Sequence, residues 1–181
     1  TVCNQSHTAF AGQIDWYVSG QGQKQLDLPA VPVQLEAGAT KIIRIEVPWA
    51  TAVLWGRPPY GEPILYCLHA ALLKDKPVHQ LVERFGFREV WADGDKLLLN
   101  GKKLMPWGDH TVPYVYERQW LTRKLHDWAK ANISILEHHR YYAPEVFYDV
   151  ADELGAFVVG ANFCVGTGQV PPADLDPQEM Q

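Results

Sequence analysis

The sequence predicts an all-β half followed by an α/β half within one chain. Three observations carry that reading. Up to about residue 88, apolar residues recur in the period-two and β-branched patterns of strands, broken by Gly- and Pro-containing turns. Beyond Lys103, short apolar runs alternate with helix-period stripes. Between the two, Asp93-Gly94 and Asn100-Gly101 bracket Lys96-Leu-Leu-Leu99, and both dipeptides favour the positive backbone angles of tight hairpin turns.

The 181 residues leave room for one large domain or two small ones. An apolar share of 47% suits a packed core, and a charged share of 20% argues against disorder. The net charge of -5 exerts no broad pull on nucleic acid or acidic membranes, so neither is expected as a partner. No apolar run approaches the roughly 20 residues of a membrane span. The chain has no initiator Met and no signal-like apolar stretch, which predicts a processed chain or a piece of a longer one. Cys3, Cys67 and Cys164 are odd in number and far apart, which speaks against a disulfide framework or a structural zinc site. Asn4-Gln-Ser6 and Asn132-Ile-Ser134 have the form of glycosylation sequons, a triplet that arises easily by chance. Seven Trp and eight Tyr suit either buried core aromatics or a ring-lined surface of the kind sugars use.

Taken in order, Gln13–Val18 partly alternates apolar with polar, Val31–Leu35 does so cleanly, and Lys41–Val47 is rich in β-branched residues. Gly20-Gln-Gly22 and Glu36-Ala-Gly38 interrupt these runs as turns. Trp55–Pro63 is too rich in Pro and Gly for regular structure. Ile64–Leu72 and Val78–Phe87 follow as further strands. This spacing predicts a β-sandwich of immunoglobulin type over residues 1–88, with a small open barrel as the competing architecture. After the hairpin, Leu104–Trp107 is a short apolar run ended by Gly108-Asp109, and it is expected to be the first parallel strand. In Arg118–Ala131, Leu121, Leu125, Trp128 and Ala129 form one stripe of an amphipathic helix. Ile133–Leu136 is the second strand. Pro144 fits the first turn of another helix, Phe147, Ala151 and Leu154 give its apolar face, and Gly155 ends it. Ala156–Val159 is the third strand. Strand and helix alternating through short links imply right-handed parallel β/α units. About two and a half are present, whereas an eight-fold barrel needs roughly 250 residues. A partial barrel leaves an unpaired strand edge, which carries an aggregation risk. Gly166–Pro177 reads as an exposed loop or tail.

In parallel β/α architectures ligands meet the carboxyl ends of the strands. That rule selects Gly108-Asp109-His110, then Glu137-His138-His139-Arg140-Tyr141-Tyr142, then Gly160-Ala-Asn-Phe163. Three readings of the dense middle group stay open. Glu137 and His139, at i and i+2, share one side of an extended segment and with His110 make a set of metal ligands. The same residues serve equally as a sugar-binding rim, with Tyr141, Tyr142 or Trp107 against a ring face. The third reading is a polar loop whose charges pair with one another. Asp149, Asp152 and Glu153 fall on a helix as a solvated face. His7, His69, His79 and His126 are isolated. No phosphate loop, Gly-x-Ser-x-Gly elbow or Cys/His nucleophile pattern is present, and nothing calls for a cofactor.

Several stretches resemble the glycoside hydrolases of family 2, which include β-galactosidases, β-glucuronidases and β-mannosidases. Glu83-Arg-Phe-Gly-Phe-Arg88 is similar to the family's final sandwich strand. Leu99-Asn-Gly-Lys-Lys-Leu-Met-Pro-Trp-Gly108 resembles its "LNGKPxxLRG" hairpin, and Pro144–Gly155 its "FYDLCDELG" helix. Trp55–Tyr66 resembles the "W.P..P.LY.L" segment of its immunoglobulin-like domain. The resemblance implies an immunoglobulin-like sandwich over residues 1–88 and the opening strands of a (β/α)8 barrel (TIM barrel) over residues 89–181. It implies hydrolysis of a β-glycoside with retained configuration by two glutamates about 5 Å apart. Those glutamates belong to later strands, and no Asn-Glu dipeptide of the acid/base type occurs here. The chain alone is therefore expected to be inactive, with a carbohydrate substrate and the rest of the barrel as partners. His139 matches a substrate-side histidine, while Glu137 replaces the arginine usual two residues earlier. Asp109 and His110 take the place of polar residues after "RG", with Trp107 where arginine is usual. Gly160-Ala-Asn-Phe163 replaces Asp-Glu-x-Asn, and Asn162 matches after a one-residue slip.

Overall fold

In the computed structural model, which describes residues 1–105, 107–111, 115–133, 135–138 and 143–160, the chain divides into two units. One is Thr1–Trp55 with Ile64–Arg88, the other Gly56–Pro63 with Glu89–Gln181. The first contains β1 (Val2–Cys3), β2 (Phe10–Gly20), β3 (Gln23–Asp27), β4 (Val31–Leu35), β5 (Thr40–Lys41), β6 (Tyr66–Leu73) and β7 (Pro77–Phe85). β2 is its spine. One edge of β2 pairs with β4 through Phe10–Ile14 and with β3 through Tyr17–Gly20, while the other pairs with β6 and, beyond it, β7, all antiparallel. Its period-two pattern explains the burial, with Ile14 and Val18 inside and Gln13, Asp15 and Tyr17 outside. The turn into β3 takes positive φ at Gln21 (52°) and Gly22 (76°), the signs of a type I′ hairpin turn. Ile14, Val33 and Leu35 form the core against Val2, Ala39 and Ile43, so the short β1–β5 pair and the chain after it supply a second layer.

Of the expected strand Lys41–Val47 only Lys41 belongs to a ladder, together with Thr40 before it, because their partner β1 offers just two residues. The alternation nevertheless persists, with Ile43 and Ile45 half-buried and Ile42, Arg44 and Glu46 exposed. Burial followed the pattern even where a pairing partner was lacking. Asn4 is buried, its Nδ2 donating to the carbonyls of Thr8 (2.8 Å) and Glu36 (3.0 Å) while Oδ1 accepts from Ser6 Oγ (2.7 Å). The first sequon is thus a structural bracket whose amide nitrogen is closed to glycosylation in the folded chain.

The second unit begins with β8 (Val90–Asp93), β9 (Lys96–Leu99) and β10 (Lys102–Lys103), an antiparallel meander in the order β10-β9-β8. Gly94 (φ 60°) makes the first turn, and Asn100 (51°) with Gly101 (78°) makes the second, as the two dipeptides predict. Next come β11 (Gly108–Thr111), α1 (Arg118–Lys130), β12 (Ile135–His138), α2 (Glu145–Glu153) and β13 (Phe157–Gly160). The three strands lie side by side and parallel in the order β11-β12-β13. Leu121, Leu125 and Trp128 of α1 and Phe147, Val150 and Ala151 of α2 pack with Leu136 and Ala156 as the core of this unit. The stripe at i, i+4 and i+7 read from the sequence is the buried one.

The first parallel strand is not Leu104–Trp107. There, the Leu104 amide still bonds to the Leu97 carbonyl (2.7 Å), prolonging the hairpin, and the Trp107 amide turns back to the Met105 carbonyl (3.0 Å). The ladder starts where Ile135 donates to the Trp107 carbonyl (3.2 Å) and continues through Gly108–Thr111. The second and third strands also lie one or two residues later than expected.

Both helices end on a residue in the left-handed region, Asn132 after α1 (φ 61°) and Gly155 after α2 (φ 67°). In each case the next amide reaches back five residues, Ile133 to Trp128 (2.9 Å) and Ala156 to Ala151 (2.8 Å), the outer bond of a Schellman cap. The second sequon therefore stands at a helix terminator. A Cβ on Gly155 would lie 2.7 Å from the Gly56 carbonyl oxygen, in a conformation side chains resist. Gly155→Ala is expected to lower stability by about 1–3 kcal/mol, whereas Asn132→Gly should be neutral within about 0.5 kcal/mol. Urea unfolding followed by tryptophan fluorescence distinguishes the two.

Candidate functional site

The carboxyl ends of β11, β12 and β13 share one edge of the parallel sheet, and the register sets what stands there. Thr111, His138 and Gly160 form the outermost row, His110, Glu137 and Val159 the next, and Asp109, Leu136 and Val158 the row beneath. Consecutive rows belong to opposite faces of a sheet. Leu136 is 1% exposed on the helix-covered face, whereas Val159 is 47% exposed and Glu137 half-buried on the other, so the Glu137 face is open in this unit. The parallel arrangement thus brings Glu137 and position 110 to one level. It separates position 109, which stands level with buried Leu136.

This corrects the expected placement of Asp109 and His110 in a loop beyond the first strand. Both are strand residues, because the ladder runs four residues later than the apolar pattern suggests. His139 and Asn162 lie outside the described residues, as do Arg140, Tyr141, Tyr142 and Phe163. Among the described residues, no three His, Cys, Asp or Glu side chains gather as a metal site. Trp107, at the entry to β11, is 70% exposed.

Tyr116, between β11 and α1, was not singled out in the sequence. It packs on the helix core, and burial, followed by the proximity of Tyr148, pushes its phenol above the ordinary pKa. It therefore remains a neutral hydroxyl at physiological pH. Asp149 and Glu153, expected to form a solvated face, both meet Arg118 at the start of α1 (3.5 and 2.6 Å). Arg118 and Glu153 are exposed and Asp149 is half-buried, so the pairs contribute little beyond orienting the two helices.

A larger omission is the role of the segment Gly56–Pro63, which the sequence marks as irregular and which resembles part of an immunoglobulin-like domain, whereas it belongs to the second unit. Within the second unit, Arg57 Nε donates to the Leu154 carbonyl (2.8 Å) and its Nη1 to the Ile133 carbonyl (3.0 Å). These carbonyls sit at the two helix-to-strand turns that precede β13 and β12. Burial lowers the Arg57 pKa from its usual value, but the guanidinium stays charged at any working pH. Tyr60 closes the other side. Its hydroxyl donates to the Lys103 carbonyl (3.3 Å) and accepts from the Met105 amide (3.1 Å), and its carbonyl accepts from Asn100 Nδ2 (2.9 Å). One loop thus holds both the amino-terminal approach to the parallel strands and the hairpin leading into β11.

No protein-family model matches the sequence, and no curated protein matches it. Solved structures do. The β-galacturonidase of Eisenbergiella tayi, a GH2 enzyme seen bound to galacturonate, superposes over 89% of this chain with a TM-score of 0.70 at 24% identity. The chain has the fold of part of a GH2 enzyme. The exo-chitosanase of Amycolatopsis orientalis matches this GH2-like fold over 87% of the chain (TM-score 0.67, 21% identity). A β-glucuronidase of Bacteroides uniformis matches it over 86% (0.68, 20%). The chain spans only 29%, 19% and 20% of these three proteins respectively.

The Arg57 bonds carry a direct test. Arg57→Ala removes a charged donor from two carbonyls and is expected to cost about 1.5–3 kcal/mol. Hydrogen exchange should locate the loss at Ile133–Ile135 and Leu154–Phe157, and uniform loss of protection across the chain would contradict the assignment.

Proposed function

We propose that this chain is part of a family 2-like glycoside hydrolase that cleaves the O-glycosidic bond of a β-glycoside. Residues 1–88 would be its immunoglobulin-like sandwich and residues 89–181 the opening of its (β/α)8 barrel, with the segment 56–63 serving the barrel side. The supporting observation is the set β11-β12-β13, parallel and joined through α1 and α2, within a GH2-like fold covering 89% of the chain. On this reading the carboxyl ends of those strands form one wall of a sugar pocket. Glu137 and His110 would hydrogen-bond hydroxyls from the open face, and His139 and Asn162 would extend the rim. Asp109 contributes to the same end of the sheet from a different row. The two catalytic glutamates stand on other strands, so the 181 residues alone bind weakly and do not turn over.

A second reading has one observation in its favour. Gly160 ends β13 without a side chain, at the position where the family resemblance implies an acid. A scaffold that has lost that acid would act as a carbohydrate-binding module without hydrolysis.

The complete polypeptide, assayed on aryl β-galacturonide, β-glucuronide and β-glucosaminide, is expected to release the aryl group with retained anomeric configuration. Glu137→Gln should raise KM at least fivefold with a smaller change in kcat, corresponding to about 1 kcal/mol of lost ground-state binding. Binding of these glycosides without release would select the module. Neither binding nor release would end both readings.

A further inference from the structure

The outward face of the five-stranded sheet in the first unit holds a groove of about 580 Å³. That volume lies within the roughly 300–1,000 Å³ of small-molecule sites. We infer that this groove is a saccharide-binding site for a neutral or amino sugar, built entirely from first-unit residues and independent of the parallel strands.

Its construction follows from register. Asp27, Tyr17, His69 and Val82 stand level on four adjacent strands, and Asp15, Ala71 and Gln80 form the neighbouring row on the same face. A bulge between Val18 and Ser19 of the β2–β3 ladder leaves Gln25 unpaired. Lys24 and Asp27, three apart in sequence, are thereby aligned with Ser19 and Tyr17, so both come to this face. Bulges re-aim side chains in this way. Lys24 forms an ion pair with Asp27 and lies over the Tyr17 ring, 5.2 Å from its centroid. On the opposite side, His69 stacks on Tyr17 with centroids 4.4 Å apart and planes within 5°, and its Nε2 is fixed by Ser19 Oγ at 2.8 Å.

The Tyr17 ring is therefore held between Lys24 and His69, an ordered wall on a face where a lone tyrosine would be mobile. Beside it, Ala71 leaves a depression whose flanks are Asp15 and Gln80. Asp15 is already oriented, since its Oδ1 accepts from Gln13 Nε2 at 2.8 Å. Val82, 58% exposed, adds an apolar surface for the C–H face of a sugar ring. A carboxylate, an amide, an ammonium and a phenol around a small apolar floor suit a ligand with many hydroxyls and one apolar face. Among the lining side chains, the two carboxylates Asp15 and Asp27 stand against the single ammonium of Lys24. A uronate is thereby disfavoured, and a neutral or cationic sugar fits.

The test uses the whole 181-residue chain, with NMR of the Tyr17 and His69 side chains during titration by cellotetraose, a glucosamine tetramer and a galacturonic acid trimer. The first two are expected to shift those signals saturably and the trimer to leave them in place. Tyr17→Ala and Asp15→Asn should each weaken binding at least tenfold, while circular dichroism verifies the fold. Glu145→Gln, on α2, should bind as the parent does. Absence of binding by both tetramers, equal binding of the uronate, or tetramer binding insensitive to Tyr17→Ala and Asp15→Asn would overturn the proposal. Because Glu137 and His110 play no part in it, loss of glycosidase activity in the complete polypeptide leaves this outcome unaffected.

Discussion

A parallel sheet depends on ending each crossover helix where the next strand must start. In the second unit that constraint is met twice in the same way, by a left-handed residue followed by a backbone bond reaching back five residues. Asn132 and Gly155 thus set the start of β12 and β13, and hence the register that places Glu137 level with position 110. Arg57 then gathers both turns, one donor on the carbonyl beside each terminator. A single guanidinium suits this task because its donors are fixed in a plane and can serve two carbonyls at once.

The helices and tight turns were legible in the sequence because their signals are local. Leu121, Leu125 and Trp128 recur with the helix period, Gly155 and Asn100-Gly101 supply backbone angles that other residues resist, and each appears where the pattern put it. The strand ladders were less legible. Lys41–Val47 has the composition of a strand, yet β1 is too short to pair with it. Gly108–Thr111 has the composition of a loop, yet β12 stands beside it with free ladder positions. Pairing is decided by the neighbour, which a one-dimensional pattern does not contain.

That difference reaches the candidate site. Reading Leu104–Trp107 as the strand turned Asp109 and His110 into one loop cluster, whereas four residues of shift make them adjacent strand positions on opposite faces. The aromatic count was similarly two-sided. Trp55 and Trp128 are buried, while Trp91 and Trp107 are exposed, so composition alone left both the core and the surface readings standing. Arg57 gave no signal at all. Its role comes from two carbonyls 76 and 97 residues away in the chain, and no spacing rule spans such distances.

The same physics accounts for a GH2-like fold persisting at 20–24% identity. What holds the parallel strands in place are backbone ladders, two left-handed terminators and a charged clamp onto carbonyls, and most of these interactions need no particular side chain. Gly155 is an exception, since Gly56 leaves no room for a Cβ, and Arg57 is another. The backbone ladders at the carboxyl ends of the strands make no such demand on side-chain identity. Nothing in the ladders requires Glu137 rather than arginine, or an acid rather than Gly160, so chemistry at that edge is free to change while the architecture stays. A likeness of fold therefore constrains the backbone of this edge more tightly than the side chains it carries, and function has to be argued from those side chains themselves.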